Sequence, residues 1–306
     1  YRILESLKQY GIEKLSDGHG TYLRHLNYFL GISKKAEPEL RGEKARFWLD
    51  TIDADHSNFM SAIDWSVNNG LADKGAVMAV ALGDFWNTNG HYSTGIRLYE
   101  NILKCIGASD KSSIVNVLNW LCVFKYIQGE YEQVKKYSEE CLTISKTIDD
   151  KKGIAVSLNN LGKVADLMGD SEKAKIYFEE SLALKKELGD KIGISDSLQS
   201  LGNLSADQGD YEQAKKYFEE SFAIKKEVGD IKGMASNLNS LGSLSSFQGD
   251  YEQAKKYHEE SLAYNKDIGS KMGIAVSTGN LGMIAFNQGE YDQAKKYFEE
   301  SLAVRI

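Results

Sequence analysis

SLQSLGNLSADQGDYEQAKKYFEESF, residues 197–222, carries two amphipathic helices and the break between them. Leu198, Leu201 and Leu204 recur at three-residue steps, and Tyr211, Ala214, Phe218 and Phe222 at three and four, the spacing that collects apolar side chains on one helix face. Between the runs, Gly209 can end the first helix in a left-handed conformation. The Asp210 carboxylate can then accept a hydrogen bond as N-cap of the second, with Gln213 three residues on in a capping-box arrangement. Gly189-Asp190 makes the same stop and start upstream. The helix left between these breaks has about 16 residues, roughly 24 Å at 1.5 Å per residue.

The unit recurs. GEYEQVKKYSEECL, GDSEKAKIYFEESL, GDYEQAKKYFEESF, GDYEQAKKYHEESL and GEYDQAKKYFEESL begin at Gly129, Gly169, Gly209, Gly249 and Gly289, every 40 residues. Upstream, Gly90, Tyr92, Gly95, Tyr99 and Leu103 repeat the second helix, while Leu82-Gly83 and Leu121-Cys122 fall on the column of Leu201-Gly202. Six repeats are expected over residues 71–306. The last stops where earlier copies continue through Lys185, Lys186 and Glu187, so the natural chain is expected to go on. One hairpin cannot bury its own apolar faces, and the units must stack on one another as a solenoid.

Composition agrees. Pro38 is the only proline among 306 residues, where average usage of about 5% would give roughly 15, and helix interiors exclude proline. With 37 basic and 44 acidic side chains the net charge is −7, which disfavours direct contact with nucleic acid. No apolar run approaches the roughly 20 residues of a membrane span. The chain opens on Tyr1, as an excised piece would, so the lack of a leader says little. Cys105, Cys122 and Cys141 form no C-x-x-C pair and fit neither a disulfide framework nor a zinc site, which favours a reducing cytoplasm.

Residues 1–70 do not repeat but keep a helical pattern: Leu4, Leu7, Ile12 and Leu15, a turn from Ser16 to Gly20, then Leu23, Leu26, Phe29 and Leu30. A loop around Pro38 follows, then Trp48, Leu49 and Ile52, a cap at Asp55, and a last face of Phe59, Ile63 and Val67. This reads as a helical adaptor over the apolar end of the solenoid.

The columns Leu201-Gly202, Gly209-Asp210-Tyr211, Ala214, Phe218 and Phe222 resemble the tetratricopeptide repeats, over residues 71–306. That resemblance implies an all-α, right-handed α-solenoid of helical hairpins. The units exceed the usual 34 residues and close with Gly-Asp instead of proline. In this they are similar to the longer repeats of kinesin light chains and of the sensor regions of bacterial signalling ATPases. Armadillo and HEAT repeats share the length but not these columns. YRILESLKQYGIEKL and EPELRGEKARFWLDTIDADHSNFMSAIDW resemble the stretch that joins the winged-helix part of STAND ATPases to their repeat sensor. The resemblance implies an ATPase module upstream, through which the full-length protein would oligomerise while this fragment stays monomeric. The chain itself has no G-x-x-x-x-G-K-[ST] phosphate loop and is not expected to bind ATP or any other cofactor.

His19, His25, His56, His91 and His258 show no metal-ligand spacing, and no metal is expected. His258 stands in the Phe218 column and should be a hydrogen-bonded core residue. The cysteines map to packing columns, Cys122 on Gly202, Cys141 on Ser181 and Cys105 on Leu184, as buried spacers. Lys215, Lys216, Glu219 and Glu220 read as a solvated face with pairs at four-residue spacing. No convergent acid, base or nucleophile suggests catalysis.

In tetratricopeptide arrays the first helix lines a concave groove. Carried over, its positions are Asn119, Trp120, Val123 and Tyr126; Asn159, Asn160, Lys163 and Asp166; Gln199, Ser200 and Asn203; Asn239, Ser240 and Ser243; and Asn280, Met283 and Phe286. An amide offers both donor and acceptor, so a ladder of them suits an extended peptide backbone, with aromatic and apolar pockets at either end. The alternative is that these amides bond neighbouring helices. The expected function is a non-catalytic sensor or scaffold arm of a STAND-type switch that captures a protein or peptide. A simple scaffold of kinesin-light-chain type and a sensor for a small inducer remain open.

Overall fold

In the computed structural model, residues 18–108 and 110–305 are described. The expected positions Leu4, Leu7, Ile12 and Leu15 lie outside them. The described residues are helical with no strand: α1 (Gly18–Ala36), a 3-10 turn (Glu37–Glu39), α2 (Ala45–Ala54) and α3 (His56–Asn68), then six hairpins. The first hairpin sets α4 (Ala72–Ala81) and α5 (Gly83–Asn89) against α6 (Tyr92–Cys105). The second and third are α7 (Lys111–Ile127) with α8 (Tyr131–Thr147), and α9 (Lys151–Leu167) with α10 (Ser171–Leu188). The fourth pairs α11 (Lys191–Asp207) with α12 (Tyr211–Val228), and the fifth α13 (Ile231–Phe247) with α14 (Tyr251–Asp267). The sixth pairs α15 (Lys271–Asn287) with α16 (Tyr291–Arg305). Each packs mainly on its neighbours, as a solenoid does.

The periodic columns account for the hairpin. Asp210 accepts from the Gln213 N–H at 3.1 Å, and Asp170, Asp190, Asp230 and Asp250 cap their helices in the same way. Gly202 leaves room for the Phe218 ring: a Cβ there would come within 2.5 Å of Cε1. Phe218 also packs with Leu241 and Leu244 of the next repeat, so one side chain ties its hairpin together and to its neighbour. The serine of each EES triplet is more than a spacer. Ser181, Ser221, Ser261 and Ser301 donate to carbonyls of the partner helix at 2.7–2.8 Å.

Gly209 has φ +80°, and no atom lies near where its Cβ would be. Gly209→Ala therefore meets only the backbone penalty of the left-handed region, about 1–2 kcal/mol. It should lower the unfolding midpoint without altering the native helical signal, measured by circular dichroism in a urea titration.

Several expectations need correction. α1 has already begun at Gly18, where a turn to Gly20 was expected, because nothing in GHGTYL stops a helix. Asp55 stands at the start of α3, but its carboxylate accepts from the Asn58 side chain and not from the backbone. Cys105 is exposed, because α6 ends there and no element covers it among the described residues, whereas Cys122 and Cys141 are buried. The Lys215 and Lys216 face is exposed as expected, yet among the described residues only Lys295–Glu299 closes as a four-residue ion pair, at 3.9 Å. The first helix of repeat one is broken at Leu82, with the Trp120 indole packed against Gly83.

α1 and α3 pack on α4. The segment between α1 and α3 does something the sequence did not announce. The superhelix turns until α5 packs against α15, and the chain at 41–46 reaches across to residues 229–232 and 266–269, at the two ends of repeat five. Arg41 O accepts from the Lys232 N–H at 3.1 Å, and Arg46 Nη1 donates to Lys266 O at 3.4 Å. The segment forms a strap over the concave face.

Candidate functional site

Beneath the strap the first helices line one groove in two adjoining compartments of about 480 and 420 Å³, which share Lys163, Ser200, Asn203 and Ser236. Most of the positions assigned from the repeat pattern meet there. Trp120, Val123, Asn159, Asn160 and Gln199 line the chamber nearer the strap. Tyr126, Asp166, Asn239, Ser240, Ser243 and Asn280 line the other. Three do not join them. Asn119 accepts a hydrogen bond from the Cys141 thiol at 3.3 Å, and Met283 and Phe286 are about half exposed at the far end, Phe286 beside a separate apolar hollow with Tyr291 and Phe298.

The amides divide into two classes. Asn239 accepts from the His258 Nδ1–H at 3.0 Å and donates to Ser277 Oγ at 3.2 Å, and Asn280 approaches the same ring nitrogen. Gln199 accepts from Lys225 and donates to Ser236 and Ser240. These side chains bond neighbouring helices. Asn159 and Asn160 differ: they are 6% and 8% exposed, and neither Asn159 Oδ1 nor Asn160 Nδ2 has a partner among the described residues. A buried polar atom without a hydrogen bond costs roughly 1–3 kcal/mol.

His258 is the core histidine expected from its column. Burial lowers its pKa from 6.5 to about 4. Between those values the unfolded chain binds the proton and the folded chain does not. Stability is thus complete above about 6.5 and declines as pH falls toward 4, by about 3 kcal/mol at full effect. In His258→Phe, the residue of the neighbouring repeats, this part of the acid sensitivity should vanish, as read from unfolding midpoints at pH 7 and pH 5.

The sequence reading missed the charged wall of the chamber. Arg41 forks onto Asp230, with Nε to Oδ1 at 3.1 Å and Nη2 to Oδ2 at 2.8 Å, and Lys232 Nζ reaches Asp84 at 2.6 Å. Behind them Lys225 Nζ lies 3.7 Å from Asp196. Burial pushes the Asp84 carboxyl up, but Lys232 and Arg41 outweigh it and hold it below the usual range. Lys225, Arg41, Lys185 and Lys163 do the same for Asp196. Burial lowers the pKa of Lys163 and brings that of Lys185 down to about 8. The arrangement offers hydrogen-bonding and charged groups to a ligand and sets no nucleophile beside a base. Among the described residues no cluster has the ligands for a metal ion, and no helix is long and apolar enough to cross a membrane.

Family models described as Tetratricopeptide repeat match residues 113–187 and 194–267, and again 274–306. A Mycobacterium tuberculosis protein named as an HTH-type transcriptional regulator is 24% identical over 106 residues, 34% of this chain but only 12% of that protein, and a Mycobacterium bovis counterpart gives the same figures. Among solved structures, the apo form of RapI superposes with a TM-score of 0.62 at 17% identity, over 86% of this chain and 94% of RapI. A Rap protein complexed with competence and sporulation factor gives 0.61 at 12% identity, over 94% and 98%. At such identities the likeness shows a shared fold.

Proposed function

Because the chain belongs to the tetratricopeptide repeat family, we propose that it is a non-catalytic binding module which takes a protein or peptide segment into the groove beneath its strap. Asn159 and Asn160 carry this reading. Both residues line the chamber, a buried acceptor on one and a buried donor on the other have no hydrogen-bond partner among the described residues, and an extended backbone supplies the matching N–H and C=O. The Rap complex with its factor is a precedent at the level of fold only. Similarity of residues 1–70 to the STAND junction, and of 106 residues to far longer mycobacterial proteins named as transcriptional regulators, supports a place as the sensor arm of a larger switch.

Selection of random displayed peptides on the chain, followed by calorimetry on Asn159→Ala/Asn160→Ala, tests the reading. Two lost hydrogen bonds should weaken binding about tenfold or more, with stability unchanged or slightly raised because no internal partner is lost. Equal affinity on both proteins places binding elsewhere.

A further inference from the structure

Where α5 meets α15 the solenoid comes back on itself, and two histidines lie at that seam. His91 stands just before α6, and its neighbour Gly90 lies against the Met272 methyl group of repeat six: a Cβ on Gly90 would come within 3.7 Å of Met272 Cε. His56 opens α3 in the adaptor, and its ring stacks on His91 with 5.5 Å between centroids and 23° between planes. Phe85 of α5 lies against both rings, at 5.7 and 5.9 Å. Adaptor, first repeat and sixth repeat therefore meet around this pair.

The seam is incompletely matched. A hollow of about 170 Å³ beside it is lined by Asn87 and Thr88 from repeat one and by Met272 and Gly273 from repeat six. Thr88 Oγ1 and His56 Nε2 are buried without a hydrogen-bond partner among the described residues. Such atoms regain hydrogen bonds to water when a contact opens, which favours release.

Charge at the seam depends on the two rings. Burial holds His56 below its ordinary value of 6.5, and His91 adds to the effect, while Asp53 of α2 opposes it. Burial also holds His91 below 6.5, against the pull of Asp53 and helped by Lys271 at the start of α15. The other charged groups along the seam are engaged. Arg46 donates to Lys266 O, Asp55 accepts from the Asn58 side chain, and Lys232 pairs with Asp84, whose carboxyl stays below the usual range.

We propose that the stacked His56–His91 pair makes closure of the solenoid pH-sensitive: with both rings neutral, repeat six docks on the loop at Gly90, and protonation repels Lys271 and opens the groove from the strap side. By linkage, the open form binds protons more tightly, because there His91 gains water and loses Lys271. Closure is thus complete above the ordinary histidine value and is lost as pH falls below it. This behaviour does not depend on what the groove binds.

Small-angle scattering and hydrogen exchange of the whole chain at pH 7.5 and pH 5.5 test it, with exchange corrected for the intrinsic effect of pH and helicity followed by circular dichroism. At the lower pH the parent should show a larger radius of gyration, and exchange in residues 40–46 and 269–275 about fivefold faster or more, with its helical signal unchanged. His56→Gln/His91→Gln should remain closed at both values. Lys271 is exposed, so Lys271→Glu leaves the fold and both rings in place; it should move the half-opening point to lower pH, and it decides the matter if the double variant loses helicity. His258→Phe should open as the parent does, which separates the seam from the buried histidine of α14. Dimensions and exchange that ignore pH in the parent, or respond equally in the double variant, would overturn the proposal. So would an unmoved half-opening point in Lys271→Glu, since the pair would then act on the adaptor and not on repeat six, or loss of the opening in His258→Phe.

Discussion

Phe218→Ala is expected to destabilise the protein by about 3–5 kcal/mol, the cost of emptying a fully buried aromatic site. The ring is 1% exposed and lies against Gly202 in its own hairpin and Leu241 and Leu244 in the next, so its loss opens an intra-repeat and an inter-repeat contact together. Phe298 stands in the same column of α16 and is 39% exposed. Phe298→Ala should therefore cost only about 1–2 kcal/mol. The difference between the two, read from denaturant unfolding, measures how much of each repeat's stability comes from its neighbour. Equal costs would mean that the stacking interface contributes little and that the solenoid account of stability is wrong.

Asp230 should show the second large effect. It caps α13 through the Gly233 N–H at 2.9 Å and holds the Arg41 guanidinium with both oxygens, and its side chain is 1% exposed. Removing one partner of a buried pair costs about 3–5 kcal/mol; the 29% exposure of Arg41 reduces the expectation for Asp230→Ala to about 2–3 kcal/mol. Asp190 makes the same cap in the preceding repeat without the arginine, so Asp190→Ala should cost about 1 kcal/mol. Asp230→Asn keeps a competent cap and isolates the ion pair. With the strap released, amide exchange in residues 40–46 should accelerate and small-angle scattering should report a larger radius of gyration. Unchanged exchange and dimensions in Asp230→Asn would show that the strap is held without this pair.

The hairpins were legible because local chemistry specifies them. The left-handed glycines, aspartate caps and Gly–Phe packing columns act within a single unit and recur in sequence. Two of the missed site residues were also within reach. Lys185 lies seven residues from Phe178 and four from Ser181, on the buried face of α10, yet KKEL reads as a solvated run unless that spacing is followed. Asp196 lies three and four residues before Gln199 and Ser200, on the same side of α11. The strap is a different matter. Arg41 and Asp230 are 189 residues apart, and their meeting depends on the rotation accumulated over several repeats, which no local pattern encodes. Asn239 and Gln199 illustrate the converse: amides at groove positions whose hydrogen bonds are spent on neighbouring helices.

Hydrogen exchange of the chain with and without a saturating selected peptide tests most directly the claim that the groove beneath the strap is the binding site. The account predicts slowed exchange in α9, α11 and residues 40–46, with the outer faces of α10 and α12 unchanged. Protection confined to those outer helices, or none in α9 and α11, would contradict it.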